Sequence, residues 1–135
     1  MGRQLTLDAF LARSLRTGFR YGSHDCLLWP SDWVLAIRGD DPAALYRGRY
    51  RTRLGAERIL NKEGGLLALA ERQAAVVGLL ETTSPIRGDV GVLQVIDQHG
   101  RLSLAGGICT GRHWNVLAPC GLLGGEAPPV KAWRV

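Results

Sequence analysis

The sequence predicts an α+β fold, with N-terminal helices packed on a C-terminal antiparallel β-meander. Three observations carry that expectation. Apolar residues recur at helical spacing from Leu7 to about Leu80. Beyond Pro85, β-branched residues gather in short runs separated by glycine-containing turns. Helical and strand patterns do not alternate along the chain, so the strands are expected to pair antiparallel and in one layer.

The elements follow in order. Leu7, Phe10, Leu11 and Leu15 mark a first helix, with Thr6 as its N-cap. Ser23 is placed to cap a second helix that carries Cys26, Leu27, Leu28, Val34 and Ile37 and ends near Gly39. Pro30 lies inside it and should kink or restart it. Asp41-Pro42 starts a short turn through Tyr46, aspartate as cap and proline in first position. Leu54–Asn61 and Leu66–Leu80 read as two further helices, parted by Gly64-Gly65. Strands are expected at Val90–Ile96, Arg101–Thr110 and His113–Ala118, with Val130–Val135 as a last edge strand. Asp97-Gln98-His99-Gly100 and Gly111-Arg112 are the intervening turns.

Length and composition bound the function. A chain of 135 residues, 46% hydrophobic and 21% charged, is expected to form one domain over 1–135, with a helical half 1–84 and a strand half 85–135. The longest apolar run, Ala74–Leu80, falls well short of the roughly 18 residues a membrane span requires. No secretory signal pattern is visible. The net charge of +5 permits an anionic partner, and the positive side is almost entirely arginine, a residue suited to protein interfaces. Cys26, Cys109 and Cys120 are odd in number and lack metal-binding spacing, so free thiols are expected, with no metal and no cofactor.

Cys26 is the first chemical candidate, because a thiol in the first turn of a helix feels the positive end of the peptide dipoles. The competing reading is a small buried hydrophobe. A cysteine nucleophile needs an oriented base, and the chain offers three histidines. His24 is two residues from Cys26 and cannot face it across a helical turn. His99 belongs to a solvated hairpin tip. His113, opening a strand beside Trp114, is the best of the three for a base, against the plainer reading of a polar strand end. Asp25 reads as a helix-start carboxylate and Asp89 as a turn former. Arg47, Arg49, Arg51 and Arg53 alternate with other residues, so an extended segment would put all four on one side. Trp29, Trp33, Trp114 and Trp133 suit core packing more readily than interface anchoring.

Phe19-Arg20-Tyr21-Gly22-Ser23-His24-Asp25-Cys26 resembles the start of the catalytic helix of NlpC/P60 papain-like cysteine peptidases, and Arg87-Gly88-Asp89-Val90 resembles that superfamily's first core strand. With Gly39-Asp40-Asp41-Pro42, Arg47-Gly48-Arg49-Tyr50, Gly64-Gly65, Gly107-Ile108 and Ala132-Trp133-Arg134-Val135, the pattern is similar to a phage-encoded NlpC/P60-like family of tail-tip and tail-assembly proteins. The resemblance implies Cys26 in the nucleophile position. In that alignment Ala105 stands where active members carry the histidine base, and Leu117 lies near the place of the third polar residue. What the resemblance then implies is a structural or assembly component of a phage tail tip with a degenerate site. Such a protein is made in the host cytoplasm, carried in the virion, and partnered by other tail proteins. The alternative is an active cysteine endopeptidase or amidase that cuts peptidoglycan peptides as the genome enters the cell, with His113 as a displaced base. DNA is a third, weaker partner for the arginines.

Overall fold

A computed structural model describes residues 3–97, 99–126 and 128–135, and their side chains from residue 6 onward. The architecture is α+β: four helices, α1 (Arg3–Thr17), α2 (Trp29–Arg38), α3 (Arg53–Glu63) and α4 (Leu66–Val76), are followed by six strands. These are β1 (Leu80–Thr82), β2 (Val90–Ile96), β3 (Leu102–Cys109), β4 (Trp114–Ala118), β5 (Gly121–Gly125) and β6 (Lys131–Arg134). They form one antiparallel sheet in the order β1-β6-β2-β3-β4-β5.

Several boundaries depart from the sequence reading for identifiable reasons. Helix α1 begins at Arg3, so Thr6 lies inside it and not at its cap. Ser23 caps nothing, because α2 starts only at Trp29; Pro30 then falls in its first turn, where the missing amide breaks no bond and no kink follows. The predicted Leu66–Leu80 helix stops at Val76, and after a turn at Val77-Gly78 the chain becomes β1. Thr52 caps α3 by accepting a hydrogen bond from the Gly55 amide, and Gly64 ends it in the left-handed region.

The meander β2-β3-β4 appears as expected, and β5 extends it. The last strand was expected at an edge, yet β6 lies between β1 and β2. Asp89 explains the placement. Its fully buried carboxylate accepts from the Ile86 amide, from Arg134 Nε at 2.9 Å and from the Val135 amide. Arg134 reaches on to Thr82 Oγ1 and the Ser84 carbonyl, so one guanidinium ties β6 to the start of β2 and the end of β1.

Strand alternation gives the sheet two different faces. Val90, Val92, Ile108 and Trp133 face the helices and pack with Trp29 and Trp33. Both of these indoles also hydrogen-bond, to Ser14 Oγ and to the Gly88 carbonyl. The opposite face carries a smaller cluster of Leu93, Ala105, Cys109, Trp114, Val116 and Ala132. Glycine makes that cluster possible. A Cβ on Gly91 would sit 3.0 Å from the Trp114 ring, and one on Gly107 would sit 2.8 Å from Leu93. The two large side chains thus lie flat across the strands. All four tryptophans are buried, so they serve packing and do not anchor an interface.

Candidate functional site

The segment before α2 is built around Asp25, which is almost fully buried. Its Oδ1 accepts from the amides of Leu27 and Leu28, capping the turn that leads into α2. Its Oδ2 accepts from the Gly22 amide at 2.8 Å and from the Tyr50 hydroxyl at 2.6 Å. Four donors therefore converge on one carboxylate, and charge-assisted bonds of this kind are the strong ones. Burial and the Asp25 hydrogen bond drive the Tyr50 phenol upward, so it stays a donor. A second clasp holds the same two segments together, because the Gly48 amide donates to the Gly22 carbonyl. Gly22 itself is irreplaceable. Its φ is 86°, and a Cβ there would lie 1.9 Å from the Tyr50 carbonyl oxygen.

Cys26 sits on this scaffold, partly exposed and with its thiol free. The expected helix-dipole activation does not operate. Burial first, then the neighbouring Asp25 carboxylate, push the thiol up to about 11, outweighing the amides of Cys26 and Leu27 that favour the thiolate. At neutral pH the sulfur is a protonated thiol and a poor nucleophile. Tyr21 stands beside it; burial and then the Cys26 charge raise that phenol too.

The structure places the three histidines elsewhere. The His24 ring is buried, with Nε2 3.3 Å from the Ser14 carbonyl and Nδ1 3.8 Å from Asp32. His99 is exposed at the hairpin tip, its amide bonded to Asp97. His113 is half-exposed and pairs its Nε2 with Glu126 at 3.0 Å. The β3 residue packed against the Cys26 backbone is Gly106, where a Cβ would lie 3.0 Å from both the Cys26 carbonyl oxygen and Pro30. His113 lies past Cys109, whose distance along β3 from Gly106 is roughly 10 Å. Ala105, one residue away from Gly106, belongs to the opposite face of the sheet with Leu93 and Trp114. Leu117 packs in the helix-facing core.

The arginine segment is not extended, which corrects the expectation of one shared face. Residues 42–48 form turns, and the Asp41 carboxylate accepts from the Ala43 amide as predicted for a cap. Arg47 folds back, gripping Asp41 with two nitrogens and Asp32 at 2.6 Å with a third. Burial is the largest influence on Asp41 and raises it, but the Arg47 hydrogen bond, the Ala43 amide and the Arg47 charge together outweigh it and the net shift is downward; at Asp32 burial prevails and the shift is upward. Arg49 and Arg51 are exposed, and Arg53 opens α3 in an ion pair with Glu57.

Sequence reasoning missed Tyr50 and Gly22 as the parts that hold the aspartate-cysteine turn, and Arg47 as the cation that joins Asp32 to Asp41. A signal was present: Tyr50 is the one bulky aromatic among the alternating arginines, which marks a side chain turned inward. Among the described residues no cluster of histidine, cysteine, aspartate or glutamate is arranged to hold a metal ion. No described helix is long and apolar enough to cross a membrane.

What the fold and this turn define is a helical layer on a six-stranded antiparallel sheet, with a buried aspartate clasp presenting a protonated cysteine. The chain belongs to the family described as a domain of unknown function, DUF6950, whose model matches residues 2–135. No curated protein and no solved structure matches it.

Proposed function

We propose that this protein is a non-catalytic structural component of a bacteriophage tail tip, built on an NlpC/P60-type papain-like fold whose peptidase site has decayed. The type of fold rests on the motif resemblance, together with the aspartate-cysteine turn packed against the second strand of an antiparallel meander. The observation that carries the loss of chemistry is the contact at Gly106. The strand position that meets the cysteine turn has no room for an imidazole, and the neighbouring Ala105 faces away. A thiol raised to about 11 with no histidine against it lacks the activation a cysteine peptidase needs. Asp25, the charged partner of that motif, is spent on four structural hydrogen bonds. In this reading the protein works through its shape and surface, in the virion, against other tail proteins.

The test is genetic and biochemical together. Phage carrying Cys26→Ser should assemble and infect as the parent does, and the purified protein should associate stably with tail-hub components. Cleavage of muropeptides by the wild-type protein, abolished by Cys26→Ser, would establish the active peptidase instead. Failure to bind any tail component would remove the assembly role.

A further inference from the structure

Helix α4 carries a core-facing stripe of Leu66, Leu69, Ala70, Gln73, Ala74 and Val77, the spacing of one helical face. Gln73 is the polar member of that stripe, yet it is only 9% exposed. On α2, Ser31 is as deeply placed, at 5%. Both line one cavity between the two helices and the middle of the sheet, walled by Val34, Ala74, Val92 and Trp133. Among the described residues nothing hydrogen-bonds the Ser31 hydroxyl or either end of the Gln73 amide. Gln73 Nε2 and Arg87 Nε are the only fully buried side-chain nitrogens or oxygens there without a partner, and Arg87 is bonded through its other two nitrogens. A buried donor left unpaired costs stability, so an apolar residue would serve α4 better if packing were its only task.

Small residues make the space. Ala70 and Ala74 line it on α4, and Gly106 lines it on β3, where a Cβ would lie 3.0 Å from Pro30. Pro30, Leu66 and Ala70 are only partly buried and mark its open side. The cavity volume is about 50 Å³, several times the roughly 10–15 Å³ that one water needs. Water suits it poorly. A buried water makes about three hydrogen bonds, and several waters would share one hydroxyl and one amide between apolar walls.

We propose that this cavity is a binding site for a small neutral amide. Gln73 presents a donor and an acceptor side by side, and the group that answers both at once is a second carboxamide. Its oxygen accepts from Gln73 Nε2 and its nitrogen donates to Gln73 Oε1. The Ser31 hydroxyl serves the remaining lone pair of the carbonyl, and a short alkyl tail fills the space against Val92 and Trp133. No lysine, arginine, aspartate or glutamate lines the cavity, so an ion there would be buried without a counter-charge. The site uses neither Cys26 nor a tail partner and stands apart from the tail-tip reading.

The experiment is a titration of the full-length isotope-labelled protein with propionamide, with propionate, of nearly the same shape but charged, as the control. Propionamide should shift the Gln73 side-chain amide pair and the backbone amides of Ser31 and Gly106. The shifts should saturate with a Kd of order 10 mM, the scale a ligand this small reaches. Propionate should leave the same resonances in place. Gln73→Leu should bind at least about tenfold more weakly. It should also unfold at a higher urea midpoint, because it removes an unpaired buried amide. Ala70→Val, which narrows the cavity and leaves the amide alone, should weaken binding likewise. Absence of saturable shifts at these groups, an equal response to propionate, or a lower urea midpoint in Gln73→Leu would overturn the proposal. So would a crystal soaked in propionamide that shows ordered water only in the cavity.

Discussion

Tyr50 donates its hydroxyl hydrogen to Asp25 Oδ2 across 2.6 Å, joining the turn before α2 to the segment before α3 in the buried interior. That bond turns an aspartate in a catalytic-looking motif into a structural hub. Tyr50→Phe removes one of its four donors and keeps the ring, so it should destabilise the fold by about 1.5–3 kcal/mol, the range for a hydrogen bond to a charged group. Asp25→Ala strands four donors at once and should lower stability by more. Urea unfolding of the three proteins, read by tryptophan fluorescence, measures both steps. A Tyr50→Phe protein as stable as wild type would show that the clasp holds nothing.

The Cys26 thiol gives a pH dependence with a definite sign. Its folded value is raised to about 11 from an ordinary 9.0, by burial and then by Asp25. Between those limits the unfolded chain ionises and the folded one does not. The stabilisation is therefore fully present below pH 9 and is lost as pH rises through 11. The expected decline is at most about 1.4 kcal/mol per pH unit in that window, and Cys26→Ser should remove it. Alkylation in a Cys120→Ser background should likewise be slow at neutral pH and accelerate up to about pH 11. A reactive Cys26 at neutral pH would contradict this.

A histidine placed at Ala105, where the motif resemblance puts the base of active members, should not activate Cys26. Ala105 is buried with Leu93 and Trp114 on the face of the sheet away from the helices. Ala105→His should therefore leave the Cys26 alkylation profile unchanged while costing about 1–3 kcal/mol through overpacking. An acceleration at neutral pH in this variant would mean the imidazole reaches the sulfur after all.

Gly22→Ala tests the close approach of the two loops. With φ at 86° and a Cβ 1.9 Å from the Tyr50 carbonyl oxygen, the substitution must open the clasp. Loss of more than about 3 kcal/mol is expected, because strain and separation of the Asp25 donors add together. Gly100→Ala also sits at positive φ, but a Cβ there meets nothing within 4 Å, so it should cost less.

The layout of this molecule was readable where one residue face decides the outcome. Val90, Val92, Val95 and Ile96 announced β2 through their run, and Gly64-Gly65 announced the break between α3 and α4. The chain was least readable where a distant group overrides local chemistry. Pro30 looked like a kink because nothing nearby reveals that α2 begins at Trp29, a start fixed by a carboxylate four residues earlier. The position of β6 depends on Asp89 meeting Arg134 across a third of the chain. β5 escaped notice because three of its five residues are glycine, which propensity counts against a strand. At the candidate site, Cys26 and Asp25 were visible in the motif, and Tyr50 was not assigned to them. The parity of β3, which decides that Gly106 and not Ala105 meets the cysteine turn, becomes definite only with the strand register.

The interior position of β6 also dictates an order of events during synthesis. β1 has its sheet partner in β6, and the Asp89 carboxylate draws Arg134 and the Val135 amide from the same late segment. While those residues are still inside the ribosome, β1 has no strand to join and a buried acid lacks its cation. The helical layer and the hairpins can take shape on the nascent chain, but the sheet locks only once residues 131–135 have emerged.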